Sequence, residues 1–333
     1  MTGTSSGSTS AERIRGSAGR ALLGLAALGA IATLGGCGSL GGQSRPAGPG
    51  AAPVPASARP QTKPPFTIVK RYALFVDHSR FVRVPGHGRQ PRRLLTVIRY
   101  PIHATGPFPL VVFGHGFAVT PAIYYRLLRA WAEAGYVVAA PVFPLGNAHA
   151  PGGPDESDIV NQPRDMSFVI TRLLALSASH HGWLAGLINR RQIAVSGQSD
   201  GGETALAVAY DRYYIDRRVR AAVILSGAEL PDDGFDFPAA SPPLLAAQGT
   251  ADTINQPRYT YAFFNAAHRP KFLLKLIGAR HLPPYTYEEP QLSIVERVTI
   301  AFLDHYLKGR RGQLARMVAT GDVPGRAVLI ARR

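Results

Sequence analysis

The spacing of apolar residues changes along this chain, and each change marks an element. From Tyr72 to Val84 and from Leu94 to Tyr100, β-branched and aromatic residues are dense, and Pro85-Gly86-His87-Gly88 separates the two stretches. That pattern predicts an opening pair of antiparallel strands. Beyond it, a short continuous apolar run at Pro109–Phe113 is followed by largely apolar stretches of the same kind at Tyr136–Ala140, Gln192–Ser196, Val219–Leu225, Leu244–Ala247 and Phe272–Ile277. Such runs suit strands buried on both faces of a sheet. Between them the period lengthens. Tyr124, Leu127, Leu128 and Trp131 share one helical face, as do Met166, Val169, Ile170, Leu173 and Leu174, and a last helix runs from Ile294 through Val298 and Ala301 to Leu307.

Strands alternating with helices predict an α/β fold, a mostly parallel central sheet with helices on both faces. Fewer than twenty residues separate Leu225 from Leu244, too few for a separate lid domain. The expectation is an open or shallow site, narrowed at most by the loop from Pro144 to Pro163.

The pattern also divides the 333 residues. Arg13, Arg15 and Arg20 precede an apolar run from Ala21 to Leu34. At 1.5 Å per residue this run reaches about 21 Å, short of a roughly 30 Å hydrocarbon core. It reads as an export signal over residues 1–36. Leu34-Gly35-Gly36-Cys37 resembles the lipobox of bacterial lipoproteins, which implies acylation of Cys37 and anchorage on the outer face of the cell membrane. Residues 37–65, rich in Gly, Ala and Pro, read as a tether, residues 66–310 as the catalytic domain, and residues 311–333 as a tail with no assigned role.

Charge and cysteine content narrow the chemistry further. The formal net charge is +16, which admits attraction to an anionic surface, but the arginines are scattered as on a solvated surface, and no nucleic-acid motif accompanies them. Cys37 is the only cysteine, so an intrachain disulfide and a thiolate metal cluster are both excluded. The histidines show no ligand spacing, and neither a metal nor a cofactor is expected.

Gly197-Gln198-Ser199-Asp200-Gly201 fits G-x-S-x-G, directly after a predicted strand and opening a predicted helix through Tyr210. That strand–turn–helix setting gives the motif weight, because it lifts a serine hydroxyl above a sheet edge. Ser199 is the candidate nucleophile, and a serine hydroxyl needs an adjacent base. His281 follows the strand ending at Ile277 and Asp252 follows the strand ending at Ala247, so both lie at carboxyl ends, where sites in open parallel sheets form. His268 precedes its strand and belongs at the opposite edge. Asp232, Asp233 and Asp236 are alternative acids, and Asp304 fits poorly within a helix.

With Phe113-Gly114-His115-Gly116-Phe117, Gln248-Gly249-Thr250-Ala251-Asp252 and Gly278-Ala279-Arg280-His281-Leu282, the elbow resembles the α/β-hydrolase superfamily. The nearest branch contains dienelactone hydrolases, chlorophyllases and platelet-activating-factor-acetylhydrolase-like proteins, and the likeness covers roughly residues 70–308. It implies a Ser199–His281–Asp252 triad, with oxyanion donors from the backbone N–H groups of Phe117 and Asp200 and with His115 bracing the loop. The implied activity is ester hydrolysis on lipid, polyester or bulky ester substrates; the alternatives are an acyltransferase, which needs only a bound alcohol in place of water, and a non-enzymatic cell-envelope lipoprotein that keeps the fold as a binding scaffold. The Asp200 carboxylate is expected to turn away from the oxyanion position. Arg164-Asp165 resembles a structural charged pair, and Tyr124, Tyr125, Phe117, Phe143, Tyr285 and Tyr287 are candidates for an aromatic cleft.

Overall fold

The computed structural model describes residues 66–231 and 234–333; the signal, Cys37 and the tether lie outside the described residues, as do Asp232 and Asp233. Nine strands form one sheet in the order β1-β2-β4-β3-β5-β6-β7-β8-β9. They are β1 (Thr67–Val84), β2 (Gly88–Ile102), β3 (Phe108–Gly114), β4 (Val137–Pro141), β5 (Ile188–Gln198), β6 (Val219–Leu225), β7 (Leu244–Gly249), β8 (Lys271–Leu276) and β9 (Ala327–Arg332). The run from β4 through β8 is parallel, while β1, β2 and β9 are antiparallel to their neighbours. Every residue of β3, β4 and β7 is buried, as uninterrupted apolar strands require.

Helices cover both faces. On one side pack α2 (Gln162–Ala178), α3 (Asp200–Tyr210) and α4 (Pro257–Ala266); on the other lie α1 (Tyr125–Glu133), α5 (Gln291–Tyr306) and α6 (Gln313–Gly321). The α1 stripe of Leu127, Leu128 and Trp131 and the α2 stripe of Met166, Val169, Ile170 and Leu173 are fully buried, as their periodicity predicts.

The C-terminal segment left unassigned by sequence is built into the fold. Met317 of α6 joins the core formed with α5, and β9 pairs with β8 from Lys271–Arg332 to Leu276–Ala327. Asp165 is structural, as its resemblance implies, but through partners distant in sequence. It does not pair with Arg164, whose guanidinium lies 5.8 Å from the Tyr214 ring centroid. Buried instead, it accepts from Arg92 Nε at 2.8 Å and Nη2 at 2.6 Å, while Arg92 grips Asp158 through two further bonds. Arg80 joins Asp165 to Asp77. Burial alone would favour losing the Arg92 proton, but hydrogen bonds to Asp158 and Asp165 outweigh it and raise its pKa. Removing one partner from a buried pair of this kind costs about 3–5 kcal/mol. The cluster ties the β1–β2 hairpin to α2 and to the loop that leads into it.

Candidate active site

The elbow follows from close packing of backbone. Ser199 sits at φ 56°, ψ −127° between β5 and α3, a conformation that costs about 1–3 kcal/mol for a non-glycine residue. Its N–H donates to Leu225 O at 3.1 Å, and its own carbonyl accepts from Glu203 N at 2.9 Å to start the helix. A methyl group at Gly201 would overlap the Gly114 carbonyl, and one at Gly197 would overlap the Gly201 carbonyl. Glycine is thus required where α3 meets β3 and β5. The turn holds the hydroxyl at the carboxyl edge of the sheet.

Three residues distant in sequence meet there. His281 Nε2 lies 2.9 Å from Ser199 Oγ, and His281 Nδ1 lies 2.8 Å from Asp252 Oδ2. The carboxylate is firmly seated: Oδ1 accepts from Ile254 N at 2.9 Å, and Oδ2 also accepts from Gln248 Nε2 at 3.1 Å. Gln248 is held in turn by Thr260 Oγ1, which donates to its Oε1 at 2.6 Å. Among the described residues, the competing groups are engaged elsewhere or face solvent. Asp236 and His268 are exposed, and Asp304 is engaged by Tyr136, Lys308 and Arg310.

The loop after β3 is equally constrained. Gly116 N–H donates to Tyr124 Oη at 3.2 Å and Ala118 N–H to Gly146 O at 2.9 Å. No described residue accepts from the Phe117 N–H between them. Asp200 is the first residue of α3, where backbone N–H groups point out of the helix. The Asp200 side chain does not reach solvent. It is buried, and its charge adds to the burial that already raises the Tyr124 phenol pKa.

His115 braces this loop. Phe143 N–H donates to its Nε2 at 3.0 Å, which fixes the proton on Nδ1, facing Gly116 O at 2.8 Å. Burial pushes the imidazole pKa down to about 4, against a smaller opposing effect of the Gly116 carbonyl. The unfolded chain therefore takes up this proton near pH 6.5, and the native state does not until about pH 4. Stability is complete above the unfolded value and falls as pH drops through that window. Urea unfolding is expected to lose about 2 kcal/mol between pH 6.5 and pH 5 from this residue. His115→Gln should start less stable and lack that component; an unchanged slope in the variant would refute the assignment.

Sequence reasoning missed one connection. Gln198, the residue before the nucleophile, donates through Nε2 to His281 O at 3.1 Å and lies 3.2 Å from His281 Nε2; its Oε1 accepts from Tyr124 Oη at 2.7 Å. A strut thus runs from the loop after β3 through Tyr124 and Gln198 to the His281 loop. A glutamine and a tyrosine, remote in sequence, gave no local signal of it. The aromatic cleft is accordingly smaller than expected. Tyr124, Phe143 and Tyr285 are buried, Phe117 is half-buried, and Tyr125 and Tyr287 are exposed. No helix lies between β6 and β7 among the described residues. The loop after Pro144 packs on the β3 loop, pairing Val119 with Asn147. Ser199 retains 8% exposure.

Comparison with known proteins agrees with this architecture. Residues 77–229 match the family model described as chlorophyllase. Chlorophyllase-2 of Arabidopsis thaliana is 25% identical over 156 residues, which cover 47% of this chain and 45% of that protein. The chain thus spans about half the length of the curated relative it matches. The family match includes the β3 loop and the elbow but stops before Asp252 and His281. The sheet with helices on both faces is consistent with an α/β-hydrolase fold, and the partial family match supports that superfamily.

Proposed function

We propose that this protein is a serine esterase that works through an acyl-enzyme, with Ser199 as nucleophile, His281 as general base and acid, and Asp252 as the group that orients the imidazole. The observation carrying this reading is the unbroken run of hydrogen bonds from Ser199 Oγ through His281 to Asp252, at 2.9 and 2.8 Å. His281 Nε2 takes the serine proton as Oγ attacks the ester carbonyl. Asp252 holds the other proton on Nδ1 and stabilises the imidazolium. The N–H groups of Phe117 and Asp200 face the developing oxyanion, where one such donor is worth about 3–4 kcal/mol. The imidazolium then protonates the leaving alcohol, and water deprotonated by His281 releases the acid. Three side chains and two peptide groups fill every role, without a cofactor.

A site with no helix between β6 and β7 among the described residues suits large esters such as lipids or polyesters, and a relative named for chlorophyll, itself a bulky ester, is compatible with that. Two measurements test the reading. A fluorophosphonate should label the wild-type protein, and kcat/KM on nitrophenyl esters should rise from acetate toward longer acyl chains. An unlabelled, inactive protein would instead favour a binding scaffold.

Acylation of Cys37 would hold the enzyme at the outer surface of the cell membrane. The support is the lipobox-like Leu34-Gly35-Gly36-Cys37 after a basic and apolar leader. Radiolabelled palmitate should enter the wild-type chain in bacterial cells and not Cys37→Ser. Equal labelling of the two would dismiss the anchor.

A further inference from the structure

The β1–β2 hairpin has one buried face and one exposed face. Opposed residues in an antiparallel pair project to the same side, so the register places Tyr72 with Val97, Leu74 with Leu95, and Val76 with Arg93 on one face. The pairing shifts between Asp77 and Phe81, and Phe81 then opposes Pro91 while Arg83 opposes Arg89. Because β2 keeps its alternation through Arg89, Pro91, Arg93 and Leu95, the bulge returns Phe81 and Arg83 to the face that Tyr72 and Leu74 occupy.

That face is apolar and cationic together. Tyr72 is 58% exposed, Leu74 48%, Phe81 45% and Leu95 44%. These are four of the eleven large apolar side chains exposed among the described residues, a concentration that marks an interaction surface. Lys70, Arg83, Arg89 and Arg93 are exposed beside them. Lys70 Nζ lies 5.5 Å from the Tyr72 ring centroid and the Arg89 guanidinium 3.9 Å from that of Phe81. The only acid in either strand is Asp77. It opposes Arg92 and is buried in the cluster with Arg80, away from this face.

We infer that the β1–β2 face docks the protein on an anionic lipid surface, with Tyr72, Leu74, Phe81 and Leu95 entering the headgroup layer while the four cations meet phosphates. A second copy of the same face would set these cations against themselves in a two-fold contact. A lipid interface offers negative charge and an apolar layer beneath it, the combination this face complements. In sequence, β1 follows the segment that carries Cys37. The inference rests on the membrane attachment proposed above, although its chemistry needs no acyl chain.

The test uses the full chain with Cys37→Ser, which removes the only cysteine, and Leu74→Cys carrying an environment-sensitive dye. Dye at Tyr213→Cys, a position 57% exposed after α3, is the control. On vesicles of equal phosphatidylglycerol and phosphatidylcholine, the dye at position 74 should shift to the blue and the control should not. Pure phosphatidylcholine should give no shift, and about 0.5 M salt should reverse it. Adding Lys70→Gln and Arg93→Gln should weaken partition about 25-fold with fluorophosphonate labelling unchanged. Two results would overturn the inference: no shift at position 74 on anionic vesicles, or a shift without vesicles that grows with protein concentration alongside a sedimenting dimer. The dye reports without turnover, so failure here is distinguishable from failure of the esterase reading.

Discussion

Ser199→Ala is expected to lower kcat on an activated ester by about 10⁶-fold and to abolish fluorophosphonate labelling, while the fold survives. The hydroxyl is the only atom on this side chain that reacts, and its hydrogen bond is to His281 Nε2. What remains after truncation is binding and oxyanion stabilisation, worth about 10³–10⁴ over water. Loss of a hydroxyl that is 8% exposed and bonded to His281 should change stability by about 1 kcal/mol, so the melting temperature serves as the control. Turnover above about one per cent of wild type, measured on protein free of contaminating esterase, would place the nucleophile elsewhere.

Asp252→Asn should cost about 10⁴ in kcat for a reason visible in the bonding. Oδ1 accepts from the Ile254 N–H, so an asparagine must keep its carbonyl oxygen there. Its amide NH2 then replaces Oδ2, facing Gln248 Nε2 and His281 Nδ1. A donor now meets the imidazole, which is driven to carry its proton on Nε2 and can no longer accept from Ser199. The fall in kcat should therefore exceed any change in KM, and activity should recover partly as hydroxide rises. Asp236→Asn, at an exposed position, should leave the rate within about twofold, as surface substitutions usually do. Retention of a tenth of the activity in Asp252→Asn would transfer the acid role to another carboxylate.

Most of the sheet could be read from the chain because its central strands are buried on both faces, and burial writes long apolar runs. That Ser199, His281 and Asp252 meet was legible for a related reason: a parallel sheet puts the ends of its strands at one edge, so position after a strand selects among the histidines and acids. What failed lies where stability comes from partners distant in sequence. The α6 helix is only nine residues long, so its apolar stripe of Leu314, Met317 and Val318 is brief and gains its meaning from the core it shares with α5. β9 needs the exposed edge of β8 before it is a strand. Asp165 and its neighbour Arg164 looked like a pair because adjacency is all a sequence shows, yet Asp165 reaches 73 positions back to Arg92. Gln198 and Gln248 were present in the motifs but anonymous, since an amide's role depends on what it faces.

The run from Gly116 through Tyr124 and Gln198 to His281 also bears on how the protein can be altered. The peptide segment that would steady a negatively charged oxygen and the imidazole that would shuttle the proton share one rigid link, so neither can be redesigned alone. Grafting a foreign 114–118 segment to widen the acyl pocket would move Tyr124 and, through the amide, tilt the ring at 281. Successful changes of substrate range should therefore come from exposed side chains that this link does not touch, such as those of Ile254 or Tyr287.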